Sequence, residues 1–191
     1  MHKHVRRSLI TMSVVVAAAV TTPIAVATPD ASSDATASAR PAFRMPFECG
    51  QRWLGSNWQG HSPGHSIDWN HYDANGNRDD LGRRVFASAG GKVLASYYST
   101  DTGYGNTIVI GHGDGWQTRY AHLKARDVKK GATVKVGQRI GQVGKSSAKY
   151  DITAHLHYEQ MHDGDTVVSV VQGVMWGDYL KRNQTSKNRC S

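Results

Sequence analysis

Cysteine is scarce in this sequence, with only Cys49 and Cys190 among its 191 residues. A closed structural zinc site takes four protein ligands, which are frequently cysteines, so the composition argues against such a site. In an exported protein, two cysteines far apart in sequence instead predict one disulfide. We expect this disulfide to join the two ends of the folded domain.

Long apolar runs are also lacking. The longest, residues 9–20, is interrupted by the polar and proline residues 21–23 before it reaches the roughly 20 residues of a membrane-spanning helix. Three basic residues precede this run and Ala25-Val26-Ala27 follows it, which is the pattern of a signal peptide cleaved after Ala27. We therefore predict a secreted protein with a signal peptide over residues 1–27 and no stable membrane insertion.

Negative charge is in the minority, since the formal net charge of the chain is +8. Removal of Lys3, Arg6 and Arg7 with the signal peptide leaves +5. A basic surface attracts polyanions, and for an exported protein these are cell-wall polymers or phospholipid headgroups. No basic patch is interleaved with aromatic residues, so we expect no nucleic-acid partner.

The domain organisation follows from composition. Residues 28–42 contain almost no large apolar side chain, which predicts a disordered linker. Residues 43–191 then form one domain, which we expect to be monomeric.

Short runs of β-branched and aromatic residues, separated by glycines, predict an all-β fold. The predicted strands cover residues 84–88, 91–98, 106–110, 117–121 and 155–161, and 132–144 continues the pattern. The segment Gly113-Asp114-Gly115 predicts a hairpin turn. The best helical candidate is the short stretch 175–181. Together these signals predict a compact antiparallel β-sheet domain or sandwich.

Histidines at alternate positions provide the first chemical signal. In His155-Leu156-His157 a strand directs both imidazoles to one face, where a zinc ion could bind. We do not assign Glu159 to the metal, because we expect its side chain to alternate away from that of His157. Upstream, His61, His65 and Asp68 add two imidazoles and a carboxylate. A catalytic zinc usually takes three protein ligands and leaves a fourth position to water.

Four sequence elements together resemble the M23 peptidases, the lysostaphin-type or LytM-type zinc endopeptidases. They are the His…Asp68 element before Trp69, Tyr-Ala-His122-Leu, the glycine-rich stretch 136–144, and His155-Leu-His157-Tyr-Glu. The resemblance covers roughly residues 47–160, and the order of the elements is more specific than any one of them.

The resemblance implies a role for individual residues. Asp68 and His157 match the family positions that bind one zinc ion. His155 and His122 match the positions of the catalytic residues that flank the zinc-bound water. It also implies a compact antiparallel β domain with a groove, and peptide bonds of bacterial peptidoglycan as substrate. The protein would then be associated with the cell wall, and its basic surface would aid adsorption to anionic wall polymers.

Two departures from the family pattern concern the same groove. The first zinc histidine usually lies four residues before the aspartate, but that position is Gly64 here. Either His61 or His65 must serve, and we favour His61, since members with a His-Ser-Pro opening have a longer gap. In a continuous strand, His65 would face away from Asp68. The small turn that usually precedes His-Leu-His is also replaced, by residues 150–154, which bears on substrate preference.

The alternative function is a non-catalytic member of the fold that binds the cell wall or activates an amidase, because fold alone does not establish activity. The presence of all four carried-over residues favours catalysis. Which peptide bond is cleaved, whose wall is the target, and how His122 and His155 divide their roles stay open at this stage.

Overall fold

The computed structural model describes residues 39–190, which fold into β-strands, turns and loops. The strands within this range are, in chain order, β1 (Arg52–Ser56), β2 (Ile67–Asn70), β3 (Arg84–Phe86), β4 (Gly91–Ser99), β5 (Gly105–Gly111), β6 (Trp116–Ala121), β7 (Ala125–Arg126), β8 (Thr133–Val134), β9 (Arg139–Gln142), β10 (Leu156–His162), β11 (Asp165–Val167), β12 (Ser169–Val171), β13 (Val174–Trp176) and β14 (Lys181–Thr185). This stretch has no helix, and so none that could span a bilayer. The predicted all-β fold is confirmed.

One large antiparallel sheet organises the domain. Its strands lie in the order β14-β1-β2-β10-β6-β5-β4-β8, and β11 pairs with β10. A three-stranded sheet, β3-β9-β7, and the β12-β13 pair complete the described strands. The sequence neighbours β5 and β6 form a hairpin, whereas β2 and β10 are adjacent in the sheet although they are far apart in the chain.

The core lies on one face of the large sheet. Alternate residues of its central strands, such as Trp69, Tyr120 and Leu156, are fully buried there. Val85 of β3 and Ile140 of β9 belong to the same buried cluster, so the small sheet covers this face. Because side chains alternate along a strand, the residues between these core positions point to the opposite face.

The hairpin predicted at Gly113-Asp114-Gly115 is confirmed and connects β5 to β6. All three residues have a positive φ, at 89°, 46° and 76°. Glycine adopts this conformation readily and aspartate tolerates it, which is why this tripeptide makes the turn.

The helix proposed for residues 175–181 is wrong. Its first part belongs to β13, which pairs with β12, and its last residue starts β14. The side chain of Met175 is 65% exposed and that of Trp176 is 1% exposed. This is the alternation of a strand, and it lets the Trp176 ring pack against Trp69 at a centroid distance of 4.7 Å.

The predicted signal peptide and most of the predicted linker fall outside the described residues. Of the expected linker, residues 39–42 are described, and Arg40 contacts the domain. Its guanidinium donates to the Val168 carbonyl at 2.7 Å and lies 4.7 Å from the centre of the Trp116 ring. Arg40 therefore packs on the domain surface instead of extending freely.

The predicted disulfide between Cys49 and Cys190 is confirmed. It spans 141 residues and ties the chain just before β1 to the segment that follows β14. The two strands are also paired in the sheet, so the bond reinforces an existing edge.

Candidate metal centre

Strand register brings Asp68 and His157 together. Asp68 of β2 lies directly opposite His157 of β10, and directly opposite residues in an antiparallel pair project from the same face. Their side chains meet on the face away from the core, with Asp68 Oδ1 3.0 Å from His157 Nδ1.

His61 joins them from the loop between β1 and β2. Its Nε2 atom lies 3.2 Å from Asp68 Oδ1, and its Nδ1 atom lies 2.9 Å from the Ser66 hydroxyl. Ser66 donates its hydroxyl hydrogen to the Pro63 carbonyl, so it accepts a hydrogen from His61 Nδ1. The lone pair of His61 is therefore on Nε2 and is directed at Asp68.

These three side chains fit a zinc ion. One ligand atom from each lies within 4.8 Å of the others. Tetrahedral zinc with bonds of about 2.0–2.2 Å separates its ligand atoms by about 3.3 Å. The observed separations of 3.2 Å and 3.0 Å to Asp68 Oδ1 agree with that spacing. Two imidazole nitrogens and one carboxylate oxygen are also a donor set that zinc accepts.

The electrostatics of these side chains also favour a cation between them. Burial opposes ionisation of Asp68, but the hydrogen bond from His157 and the positive charge of that ring hold its pKa well below the usual range. Burial likewise opposes a charge on His157, yet the hydrogen bonds to Asp68 and Glu159 raise its pKa to about 9. A proton thus occupies the space between His157 and Asp68, and a cation suits the same space.

His155 and His122 border this group. His155 Nε2 lies 3.5 Å from Asp68 Oδ2, and the His122 and His155 rings are 4.8 Å apart. The Nδ1 atoms are 2.8 Å from the Thr153 carbonyl in His155 and 3.0 Å from the Ser146 carbonyl in His122. A carbonyl accepts only, so each Nδ1 carries the hydrogen and each Nε2 is free to accept. Burial, and then nearby His155, lower the pKa of His122 to about 4.

A cleft of about 340 Å³ opens above the five side chains, and all five line it. Trp58 and Tyr150, which are 51% and 63% exposed, belong to its wall. The Trp58 ring packs on that of His61 at 4.2 Å.

His65 lies outside this group. Its backbone N–H and its Nδ1 atom both contact the Asp178 carboxylate, at 3.0 Å and 2.9 Å, and its side chain is partly exposed. Tyr120, Trp69 and Tyr158 are fully buried, as expected for packing residues and not for residues that stack on a substrate.

The expectation that the Glu159 side chain points away from that of His157 is wrong. Residues two apart on a strand share a face, and His157 Nε2 lies 3.0 Å from Glu159 Oε1. Glu159 thus contacts the ring nitrogen of His157 that faces away from Asp68. The two-residue repeat of a strand was sufficient to predict that Glu159 lies on the same face as His157. The contacts of Ser66, Thr153 and Ser146 with the histidines, by contrast, depend on loop conformations that no short-range pattern specifies.

Comparison with known proteins gives a family. A sequence profile of peptidase family M23 matches residues 75–169. The matched range includes His122, His155 and His157 but not His61 or Asp68. Those two residues precede it: Asp68 reaches the site through the pairing of β2 with β10, and His61 lies in the loop before β2.

Characterised relatives share this region. Peptidoglycan DD-endopeptidase ShyA of Vibrio cholerae is 40% identical over 88 residues, which is 46% of this chain and 19% of that protein. Lipoprotein NlpD of Yersinia enterocolitica is 33% identical over 86 residues, which is 45% of this chain and 84% of that protein. Murein hydrolase activator NlpD of Salmonella dublin is 30% identical over 159 residues, which is 80% of this chain and 37% of that protein. The Vibrio and Salmonella proteins are therefore much longer than the matched part.

A solved structure has the same fold. A zinc containing peptidase from Vibrio cholerae superimposes with a TM-score of 0.51 at 26% sequence identity, covering 66% of this chain and 38% of that one.

Proposed function

The chain belongs to peptidase family M23, and we propose that it is a zinc-dependent endopeptidase that hydrolyses peptide bonds of bacterial peptidoglycan. The metal ligands in this proposal are His61, Asp68 and His157, with one zinc ion. The proposed catalytic residues are His155 and His122.

The convergence of three lone pairs on one point carries the proposal. The hydrogen of His61 is turned towards Ser66, and Glu159 accepts a hydrogen from the second nitrogen of His157. Once a cation displaces the proton between His157 and Asp68, two imidazole nitrogens and a carboxylate oxygen can direct their lone pairs at it inside the cleft.

A zinc ion held here would lower the pKa of a bound water to about 7 and polarise a substrate carbonyl. His155 is the proposed general base, because its Nε2 accepts and is directed into the cleft beside Asp68. The Thr153 carbonyl, which accepts from Nδ1, stabilises the positive charge that His155 gains with the proton. His155 then donates this proton to the leaving amine.

His122 has a different part in this proposal. With a pKa of about 4 it is neutral at neutral pH, and its one hydrogen is given to Ser146. Its Nε2 therefore accepts a hydrogen bond from the attacking water or from a substrate N–H. A hydrogen bond from His122 Nε2 to the developing oxyanion would require a second proton on the ring, which burial disfavours. We therefore assign His122 to the orientation of the attacking water or of the substrate.

The walls of the cleft favour an internal peptide bond. Among the described residues that line it, none is a lysine or arginine, so the cleft offers no side chain to pair with the terminal carboxylate of a substrate. The exposed rings of Trp58 and Tyr150 instead provide apolar surface for a chain that continues in both directions.

A non-catalytic role as an activator is the second candidate. It is favoured by the similarity to the protein described as a murein hydrolase activator, which extends over 80% of this chain. The two functions differ in one property: an activator needs no proton carrier beside the metal group.

The deciding experiment replaces His155 and Asp68 separately. We expect His155→Ala to keep its zinc and to lose the release of peptide fragments from purified peptidoglycan, because the proton carrier is absent. We expect Asp68→Ala to lose both the zinc and the activity. Metal content is measured by atomic spectroscopy, and the released fragments are identified by mass spectrometry on walls of different cross-link chemistry.

Wall degradation by His155→Ala at the rate of the unaltered protein would contradict the assignment of His155 as a catalytic residue. If neither protein degrades walls but both stimulate an amidase, the activator role is correct instead.

We also propose export and a location at the cell wall. The support is the signal-peptide pattern of residues 1–27 together with the disulfide, which forms in oxidising compartments. Adsorption to anionic wall polymers through the basic surface is part of this proposal, and it predicts weaker wall binding as salt increases.

A further inference from the structure

A buried carboxylate lies directly behind the proposed metal ligands. Glu159 is 0% exposed and receives hydrogen bonds on both oxygens. Oε1 accepts from the Tyr104 hydroxyl at 2.6 Å, from His157 Nε2 at 3.0 Å and from Arg119 Nη1 at 3.1 Å. Oε2 accepts from Arg119 Nη1 at 2.8 Å. Its acceptor sites are thus filled by groups that hold the carboxylate in one orientation.

Packing alone does not account for this ion pair. Taking a carboxylate and a guanidinium out of water is expensive, and an apolar pair of similar volume often stabilises a fold as well or better. The Arg119–Glu159 pair lies on the cleft face of β6 and β10, where the two residues are directly opposite, and Glu159 Oε1 also accepts from His157.

His157 lies between two carboxylates, with Nδ1 3.0 Å from Asp68 Oδ1 and Nε2 3.0 Å from Glu159 Oε1. A metal ion beside Asp68 would need the lone pair of Nδ1, and the hydrogen of the neutral ring would then lie on Nε2, where Glu159 accepts it. His61 is held in the opposite sense, with its hydrogen on Nδ1 towards Ser66. The two rings therefore present different nitrogens to Asp68 Oδ1.

We propose that Glu159 is the positioning residue of the metal centre. It orients His157 so that Nδ1 binds the ion, and Arg119 and Tyr104 hold Glu159 in place for this task. The inference rests on the proposed function in one respect, namely that a metal binds at His157.

Tyr104 extends this network to the other side of the cleft. Its hydroxyl contacts Glu159, while its backbone carbonyl accepts the His122 N–H at 2.9 Å. Loss of the hydroxyl removes one of several bonds to Glu159. Tyr104→Phe is therefore expected to act in the same direction as loss of Glu159, but more weakly.

The test is the zinc affinity of the full chain, measured by competition with a chromophoric chelator. Loss of a partner of a ligating histidine typically weakens metal binding roughly 10- to 100-fold, and we expect this for Glu159→Gln. The matched control is Glu48→Gln, which alters another glutamate paired with an arginine, Arg84, on the exposed surface. The control should bind zinc as the unaltered protein does.

A second variant separates positioning from folding, because Glu159→Gln leaves Arg119 without its partner. The double variant Glu159→Gln with Arg119→Gln removes both charges, and the melting temperature of its metal-free form reports on folding. We expect weakened zinc binding with a nearly unchanged metal-free melting temperature.

Nitrogen NMR of the zinc-loaded, unaltered protein provides a check that needs no variant. We expect the His157 signals of a ring bound through Nδ1 and protonated on Nε2. Binding through Nε2, or an unchanged zinc affinity in a folded double variant, overturns the inference while zinc-dependent activity stands. If the unaltered protein binds no zinc, the proposed function and this inference both fail.

Discussion

His61 and His65 lie four residues apart on one loop and contact different carboxylates. His61 contacts Asp68 inside the cleft, whereas His65 contacts Asp178 at the partly exposed surface. The spacing of the sequence left both as ligand candidates. The contacts favour His61, because its side chain is nearly buried and its second nitrogen has the Ser66 acceptor that ligating histidines usually have.

We predict that His61→Ala loses bound zinc and that His65→Ala retains it. The reason is that His61 supplies one of three lone pairs, while the His65 ring binds only Asp178. Metal content after dialysis, measured on both variants, is the readout. Loss of zinc from His65→Ala alone would show that the other histidine is the ligand.

His112, which lies outside the proposed metal centre, makes the folding stability of the protein depend on pH. It lies 2.8 Å from both the Gly90 carbonyl and the Thr118 hydroxyl, and burial lowers its pKa. The unfolded chain, with a histidine pKa of about 6.5, therefore takes up a proton more readily than the folded protein as the pH falls. The contribution to stability is present above that pH and is lost below it.

We predict that His112→Gln reduces the difference in the free energy of unfolding between about pH 7.5 and about pH 5. Urea denaturation of both proteins at the two pH values provides the measurement. An equal pH dependence in the variant would mean that the partly buried imidazole of His112 is not responsible.

At the scale of elements, Gly144 connects the backbones that bear both proposed catalytic histidines. Its carbonyl accepts the His155 N–H at 3.1 Å. A Cβ atom at this position would lie 2.2 Å from Lys124 N and 2.7 Å from the His122 carbonyl. Only glycine therefore allows the two segments to run so close together.

We predict that Gly144→Ala destabilises the protein by about 1–3 kcal/mol, as forced overpacking does, and reduces peptidoglycan hydrolysis further by displacing His122. The control is Gly177→Ala, since a Cβ there meets no atom within 4 Å. Thermal unfolding and rate measurements on both variants test this. A fully active, equally stable Gly144→Ala would contradict it.

Some strands can be predicted from the local sequence, whereas others depend on contacts between distant parts of the chain. Runs of β-branched residues between glycines located β4, β5 and β6, because local alternation and turn chemistry determine them. The stretch 175–181 was misassigned because the pairing of β13 with β12 and the packing of Trp176 on Trp69 are long-range contacts. For the same reason, the resemblance to the M23 peptidases implied that Asp68 and His157 meet, but only the register of β2 with β10 brings them within 3.0 Å.

For the whole molecule, the Cys49–Cys190 bond restrains the unfolded chain. Closing a loop of this length stabilises a protein by up to about 5 kcal/mol in the chain-entropy treatment. We predict that the double variant Cys49→Ser with Cys190→Ser unfolds at a lower urea concentration than the oxidised protein. The reduced, unaltered protein is the matched control and should unfold with the variant. Equal midpoints in all three would show that the bond adds no stability.

A topological property follows from the same bond. A protease that cuts the backbone once at any loop between residues 49 and 190 produces two pieces that are still covalently joined. The pieces migrate as one species on a gel until a reductant is added. The protein can thus be nicked without being released as separate fragments, and the β1–β14 pairing still holds the first and last of the described strands side by side.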